Sequence, residues 1–267
     1  MNAETGKNYL IIGGTTGLGL SAAKALVASG HNVAILGRKS ESLDAALRTL
    51  GDQAIGIPGN ATQPGASESL LELTLKQWGT LDGLYHVAGG SGRSMGDGPA
   101  HEISDEGLDH TLDLNLKSLI VSNRTAIRQF LRQGNGGTIL NMGSVLGFSP
   151  SPKHFSTHAY AAAKAAVIGF TKSLAATYAK ENIRANVIAP ALVETPMSSR
   201  ASGNREILEF IATKQPLDGG RIGSPADLDA AVIFLLTKAS QFVTGQVLTV
   251  DGGWSVTEGQ YSTEPTA

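Results

Sequence analysis

The sequence predicts an α/β fold, a doubly wound parallel sheet of about seven strands with helices on both faces. Three observations predict it. Short apolar runs recur along the 267 residues with helix-like stretches between them. These runs lack strict polar alternation, as strands covered on both faces do. Glycine is in excess, 33 of 267 residues against a usual ~7%. It gathers at the ends of the apolar runs, where tight turns and close backbone approach require it.

The elements follow in order. YLII (9–12) reads as the first strand, then a glycine turn and a helix over LGLSAAKALVASG. NVAIL (32–36) and AIGI (54–57) read as the second and third strands, and SLLELTLKQWG as a helix. GLYHVA (83–88) is the fourth strand, followed by an irregular segment at 89–102. One long helix is expected near 105–132 and another near 157–181, on either side of a fifth strand, TILNM (138–142). RANVIA (184–189), a second irregular segment at 195–220, the helix PADLDAAVIFLLTK and QVLTV (246–250) complete the series. The tail after Gly253 is polar and expected to be loose at its end. No repeat, charge block or proline-rich linker divides the chain, so 1–267 is read as one domain.

Composition excludes several classes. A net charge of −2 gives no electrostatic reason to expect nucleic acid or an anionic membrane as partner. The absence of cysteine excludes disulfides, thiolate metal sites and a cysteine nucleophile. The opening MNAETGKNYLIIGG has too short an apolar run for a signal peptide, and AAVIFLL (230–236) is far short of a membrane span. A soluble, cytoplasmic protein is expected. His31, His86, His101, His110, His154 and His158 show no metal-ligand spacing, so no metal is expected. His154 and His158, which precede Tyr160, are candidate pocket residues.

Gly13, Gly17 and Gly19 stand between the first strand and the first helix, the context in which a glycine pattern gains meaning. Without side chains the backbone can approach a pyrophosphate, whose charge suits the free N–H groups of a helix start. A glycine-rich turn with no ligand is the plainer alternative. A dinucleotide site would show an acid at the end of the second strand to bond the ribose 2′-hydroxyl of NAD. Here Gly37 stands there, followed by Arg38 and Lys39. A guanidinium can grip a 2′-phosphate, so NADP(H) is expected over NAD(H), which stays the alternative. Otherwise the two cations merely begin a solvated helix.

HAYAAAK (158–164) sets Tyr160 and Lys164 four apart in an alanine-rich stretch, one turn apart on one helix face. Alone, such a pair is more simply surface decoration. In combination with the glycine turn, the chain resembles the short-chain dehydrogenase/reductase family from about residue 8 to VDGG at 250–253. Gly13–Gly19 matches its TGxxxGxG, with Ile12 replacing threonine. Asn115 in LDLNLKS, Ser144 in LNMGSVLG, and Tyr160 with Lys164 are similar to its catalytic residues. IRANVIAPALVETPM is similar to its segment around the nicotinamide, with Ala191 where glycine is usual.

The resemblance implies a Rossmann-type fold and an oxidoreductase interconverting a ketone or aldehyde and an alcohol. Its cofactor residues would be Gly13, Thr15, Thr16, Gly17, Leu18, Gly19, Arg38, Lys39, Asn60, Ala61, Ala88, Gly89, Tyr160, Lys164, Val193 and Thr195. Tyr160 would transfer the proton, its phenol lowered by Lys164 and by an oxidised nicotinamide. Lys164 would bond the nicotinamide ribose, Ser144 the substrate oxygen, and Asn115 a water leading from Lys164 to solvent.

There are departures. His86-Val87-Ala88-Gly89 replaces the family's NNAG, and Asn60 replaces an aspartate beside the adenine. SPSPKHFST lengthens the loop between Ser144 and Tyr160. The segments 89–102, 145–158 and 195–220 would wall a substrate pocket, where Arg93 hints at an anion; a solvent-facing arginine is the simpler reading. Loss of Tyr160 or Lys164 would instead have favoured a non-catalytic NADP(H)-binding sensor or scaffold. An isomerase or dehydratase reading lacks the long C-terminal domain that chemistry usually accompanies.

The two long helices carry apolar positions on more than one face, including the stripe Phe170, Leu174, Tyr178. Ala162, Ala166 and Gly169 are read as lying near the catalytic face. The stripe alone reads as ordinary core; with the family's pairing of these helices, and a second interface at 246–250, a homotetramer is expected, with a dimer as the alternative.

Overall fold

The computed structural model describes residues 5–259; the expectation of a loose chain end falls on 260–267, outside the described residues. Seven strands form one sheet: β1 Asn8–Ile12, β2 Asn32–Gly37, β3 Ala54–Pro58, β4 Gly83–His86, β5 Gly137–Met142, β6 Ile183–Pro190 and β7 Val247–Val250. All pairings are parallel, in the order β3-β2-β1-β4-β5-β6-β7.

Alternate residues of a strand point to opposite faces, and here both faces are covered. Tyr9 and Ile11 of β1 enter one core with α1 Gly17–Ala28, α2 Ser40–Leu50 and α9 Asp229–Leu236. Leu10 and Ile12 enter the other with α3 Ala66–Trp78, α5 Ser118–Gln133 and α6 His158–Tyr178. Each fully buried leucine, such as Leu26 or Leu70, contributes about 2 kcal/mol relative to exposure. The run in β1 needs no polar alternation because neither of its faces meets water.

The strand order reverses between β1 and β4, which opens a crevice beyond their carboxyl ends. β4 stops at His86 rather than Ala88: Val87 and Ala88 both donate their N–H to Ile12 O, at 3.0 and 2.7 Å, so the ladder cannot continue. The long helix expected near 105–132 is divided into α4 Asp105–Leu112, a π-helical turn Asp113–Lys117 and α5. Asn115 sits in that turn and donates its side-chain N–H to Thr111 O, 3.0 Å away, competing with the backbone for a helix carbonyl. Single π turns of this kind mark functional positions in many helices.

The segment 195–220, expected to be irregular, contains α7 Ser199–Ser202 and α8 Arg205–Lys214. Ile207 and Ile211 of α8 build a third core with Val145, Ala201 and Trp254. Trp254 belongs to the stretch read as polar tail, yet it is buried, because Phe155 and Phe210 meet its ring edge-on at 5.7 and 5.8 Å. Among the described residues no helix is long and apolar enough to cross a membrane.

Candidate active site

Two hollows meet at the carboxyl end of the sheet. The first, about 560 Å³, follows the glycine turn. Gly13 adopts φ +96°, and a Cβ there would lie 2.8 Å from Ala88 N; one on Gly19 would lie 2.1 Å from Gly13 O. Only glycine permits this packing of turn, strand end and helix start. Thr16 precedes α1 without a side-chain cap and the first turn carries no acid, so the helix N-terminus keeps unshielded N–H donors for an anion. Thr15, Gly17, Leu18, Arg38, Asn60, Ala61, Ala88, Gly89 and Thr195 also line this groove, and no carboxylate does among the described residues. The residues present thus fit a dinucleotide. Lys39 does not line it: it precedes α2 and is exposed, consistent with a cation starting a solvated helix.

A side chain at position 37 would meet a steric obstacle. A Cβ on Gly37 would lie 2.2 Å from Thr15 Oγ1 and 2.8 Å from Thr15 Cβ. Thr15 is β-branched and stiff, so it occupies the space an acidic side chain at 37 would need.

The second hollow, about 530 Å³, shares Leu18, Val87, Gly89 and Thr195 with the groove. Ser144, Tyr160, Lys164 and Val193 line it. Ser144 lies two residues past β5, where its Oγ accepts from Leu146 N at 3.2 Å. Tyr160 stands in the first turn of α6, with Lys164 one turn on. Lys164 is only 2% exposed; its Nζ donates to Met142 O at 2.9 Å and lies 5.5 Å from the centre of the Tyr160 ring.

Burial dominates the electrostatics. It lowers Lys164 to about 8. It raises the Tyr160 phenol from its ordinary value, and the Ser144 hydroxyl partly offsets that rise. The expectation that Lys164 lowers the phenol is therefore not met by the chain alone, because desolvation of a phenolate outweighs its neighbours here. His86 is lowered to about 3, first by burial and then by Lys164, so it is a neutral imidazole at physiological pH.

His86, which stands in the family's NNAG stretch, is held between two serines of α5. Its Nδ1 lies 2.7 Å from Ser122 Oγ and its Nε2 3.4 Å from Ser118 Oγ, tying β4 to α5. Asn115 is wholly buried and lines neither hollow. Its Oδ1 accepts from Gly90 N at 3.0 Å, while Nδ2 donates to Gly90 O at 2.8 Å and to Thr111 O. Both amide hydrogens are thus committed to the main chain beside the crevice, and the side chain has no donor left for the expected water.

Three features escaped the sequence reading. Asp97 accepts from Ala159 N through Oδ1 and from Tyr160 N through Oδ2, both at 3.0 Å, while the local cap Thr157 makes no side-chain bond. Trp254 forms part of the second hollow, and its Nε1 donates to Ser149 O at 3.1 Å, anchoring the lengthened loop. Thr15 against Gly37 is the third. His154 and His158 line neither hollow: His154 packs on Phe155 and Phe210, and His158 turns to Gly98 O. Ala162, Ala166 and Gly169 face outward, not toward the site; the inner face of α6 carries Ala159, Ala163, Lys164 and Val167.

Comparison with known proteins matches nearly the whole chain. Residues 13–255 match a family profile described as enoyl-(acyl carrier protein) reductase. A 2,5-dichloro-2,5-cyclohexadiene-1,4-diol dehydrogenase of Sphingobium indicum is 33% identical over 96% of this chain and 99% of its own length. A 2-dehydro-3-deoxy-D-gluconate 5-dehydrogenase of Dickeya dadantii is 32% identical over 93% of this chain and 95% of its own. A short-chain type dehydrogenase/reductase from Mycobacterium ulcerans superposes with a TM-score of 0.87 at 30% identity, covering 96% of this chain and 92% of that one.

Proposed function

This chain belongs to the short-chain dehydrogenase/reductase family of oxidoreductases, and on that premise we propose that it is an NADP(H)-dependent enzyme interconverting a ketone or aldehyde and an alcohol. The observation that carries the reading is the shared boundary of the two hollows. Ser144, Tyr160 and Lys164 stand on the wall of one, and the glycine turn lines the other. A bound nicotinamide cofactor supplies the hydride. Ser144 donates to the substrate oxygen and holds developing charge there. Tyr160 gives its phenolic proton to that oxygen in reduction and takes it back in oxidation. Lys164 lies close enough to favour the phenolate once the site carries a further positive charge. The dehydrogenases to which the chain is similar are named for alcohol and carbonyl groups, which supports the same reaction class.

Arg38 in the groove, and the lack of any carboxylate there among the described residues, support NADP(H) over NAD(H). A homotetramer, with a dimer as alternative, is part of the proposal. Ala162, Ala166 and Gly169 leave a shallow exposed strip on α6, and β7 leaves a half-exposed sheet edge. A cytoplasmic location completes it.

The test is NADPH oxidation against a panel of ketones, with NADPH binding measured separately. Tyr160→Phe should keep binding and lose turnover by about a hundredfold or more. Binding without turnover of any carbonyl compound would favour a sensor or scaffold instead.

A further inference from the structure

We infer that the second hollow recognises an anionic substrate, an apolar-bodied oxo acid or its hydroxy acid, whose carboxylate is held between Arg93 and Arg200. The inference rests on the oxidoreductase reading above and extends it to substrate class.

Among the described residues, the charged side chains lining this hollow are Arg93, Lys164 and Arg200, all cationic; no Asp or Glu lines it. Lys164 is engaged with Met142 O. The two guanidiniums come from different walls, Arg93 from the 3₁₀ turn Arg93–Met95 and Arg200 from α7. Neither forms an ion pair with a described residue. Arg200 has only a bond to His154 O, at 3.2 Å. They are near enough that Arg93, after burial, lowers Arg200 from its ordinary value.

Three acids of the flanking segments are committed elsewhere. Glu206 pairs with Lys153 at 2.6 Å, Glu209 with Arg205 at 2.8 Å, and Asp97 with the start of α6. Two like charges facing one hollow repel, and an anion between them is attracted to both. A guanidinium matches a carboxylate with two parallel N–H···O bonds.

The dinucleotide does not account for these arginines, since neither lines the groove, where Arg38 stands. The rest of the hollow is largely apolar, with Val145, Leu146, Phe155, Leu192, Met197 and Trp254. That lining suits a hydrocarbon body between the carboxylate and the carbonyl beside Tyr160.

The test compares levulinate and its longer methyl-ketone homologues with their carboxamides as substrates with NADPH. At one chain length or more, the acid should exceed its amide in kcat/KM by about 10- to 100-fold, the range of a charge-assisted hydrogen bond. The gain should fall mainly in KM and shrink as salt rises. Arg93→Gln and Arg200→Gln should each bring the acid-to-amide ratio toward one, and Arg93→Lys should restore part of it. Amides turned over as well as acids at every length, or a ratio unmoved by both Gln changes, would overturn the inference and leave the oxidoreductase reading standing. If no carbonyl compound oxidises NADPH, that reading fails instead. Calorimetry of levulinate and its homologues on the full chain then decides the inference alone: binding lost in the double Gln variant supports it, and no binding overturns it.

Discussion

The Asp97 carboxylate holds the main chain of Tyr160: Oδ2 accepts from Tyr160 N at 3.0 Å, while Oδ1 accepts from Ala159 N at the same distance. Asp97 is 3% exposed, so these bonds lie in a medium where an unmatched N–H is costly. A segment of the 89–102 loop thereby sets the position of the helix start that carries the phenol. Asp97→Ala should lower unfolding free energy by about 1–3 kcal/mol, combining a lost cap with two orphaned donors. Asp97→Asn should recover part of that loss. Denaturant unfolding measures the first effect. A fall in kcat larger than any rise in KM would report the displacement of Tyr160; unchanged stability in Asp97→Ala would refute the clamp.

Burial of His86 should make the protein acid-sensitive. Its folded-state value, about 3, is depressed below the ordinary ~6.5 of the unfolded chain. The unfolded state therefore binds more protons between these values, and the neutral, buried imidazole loses its advantage as pH falls from about 6.5 toward 3. Wild-type stability relative to His86→Asn should decline over that window and be level above it. Parallel pH dependence in the two proteins would contradict the assignment.

Cofactor preference should not be reversible at positions 37 and 38 alone. A Cβ at 37 meets Thr15 Oγ1 at 2.2 Å, so Gly37→Asp with Arg38→Ile should bind both dinucleotides poorly. Adding Thr15→Gly opens the space, and the triple variant should prefer NADH by about tenfold or more. Dissociation constants for NADPH and NADH in the three proteins decide the matter. A double variant that already binds NADH tightly would show that Thr15 yields.

Assembly is testable on the outer face of α6. Ala162, Ala166 and Gly169 are exposed, and nothing lies within 4 Å of a Cβ built on Gly169. Ala166→Arg should leave the fold intact, since its position is solvent-facing in the isolated chain, but should divide a tetramer into smaller species. Sedimentation velocity reads the outcome. A stable wild-type species at 27.6 kDa with full activity on dilution would refute the tetramer and its dimer alternative.

Local signals in the chain determined the layered α/β order, the glycine turn and the placing of Tyr160 beside Lys164. Each of these is written within a few residues: an unbroken apolar run in YLII, missing side chains at Gly13 and Gly19, one helical turn between 160 and 164. Tertiary structure alone decided the rest. Asp97 reaches Tyr160 across 63 residues, Thr15 excludes a side chain at Gly37 from a neighbouring strand end, and Trp254 turns a polar-looking tail into a wall of the second hollow. Arg93 and Arg200 line one hollow only because the 3₁₀ turn Arg93–Met95 and α7 both border it. The reason is physical: periodicity encodes which face of an element is buried, but the partner of a capped helix, an excluded Cβ or an unpaired charge is set by distances through space that no local spacing records.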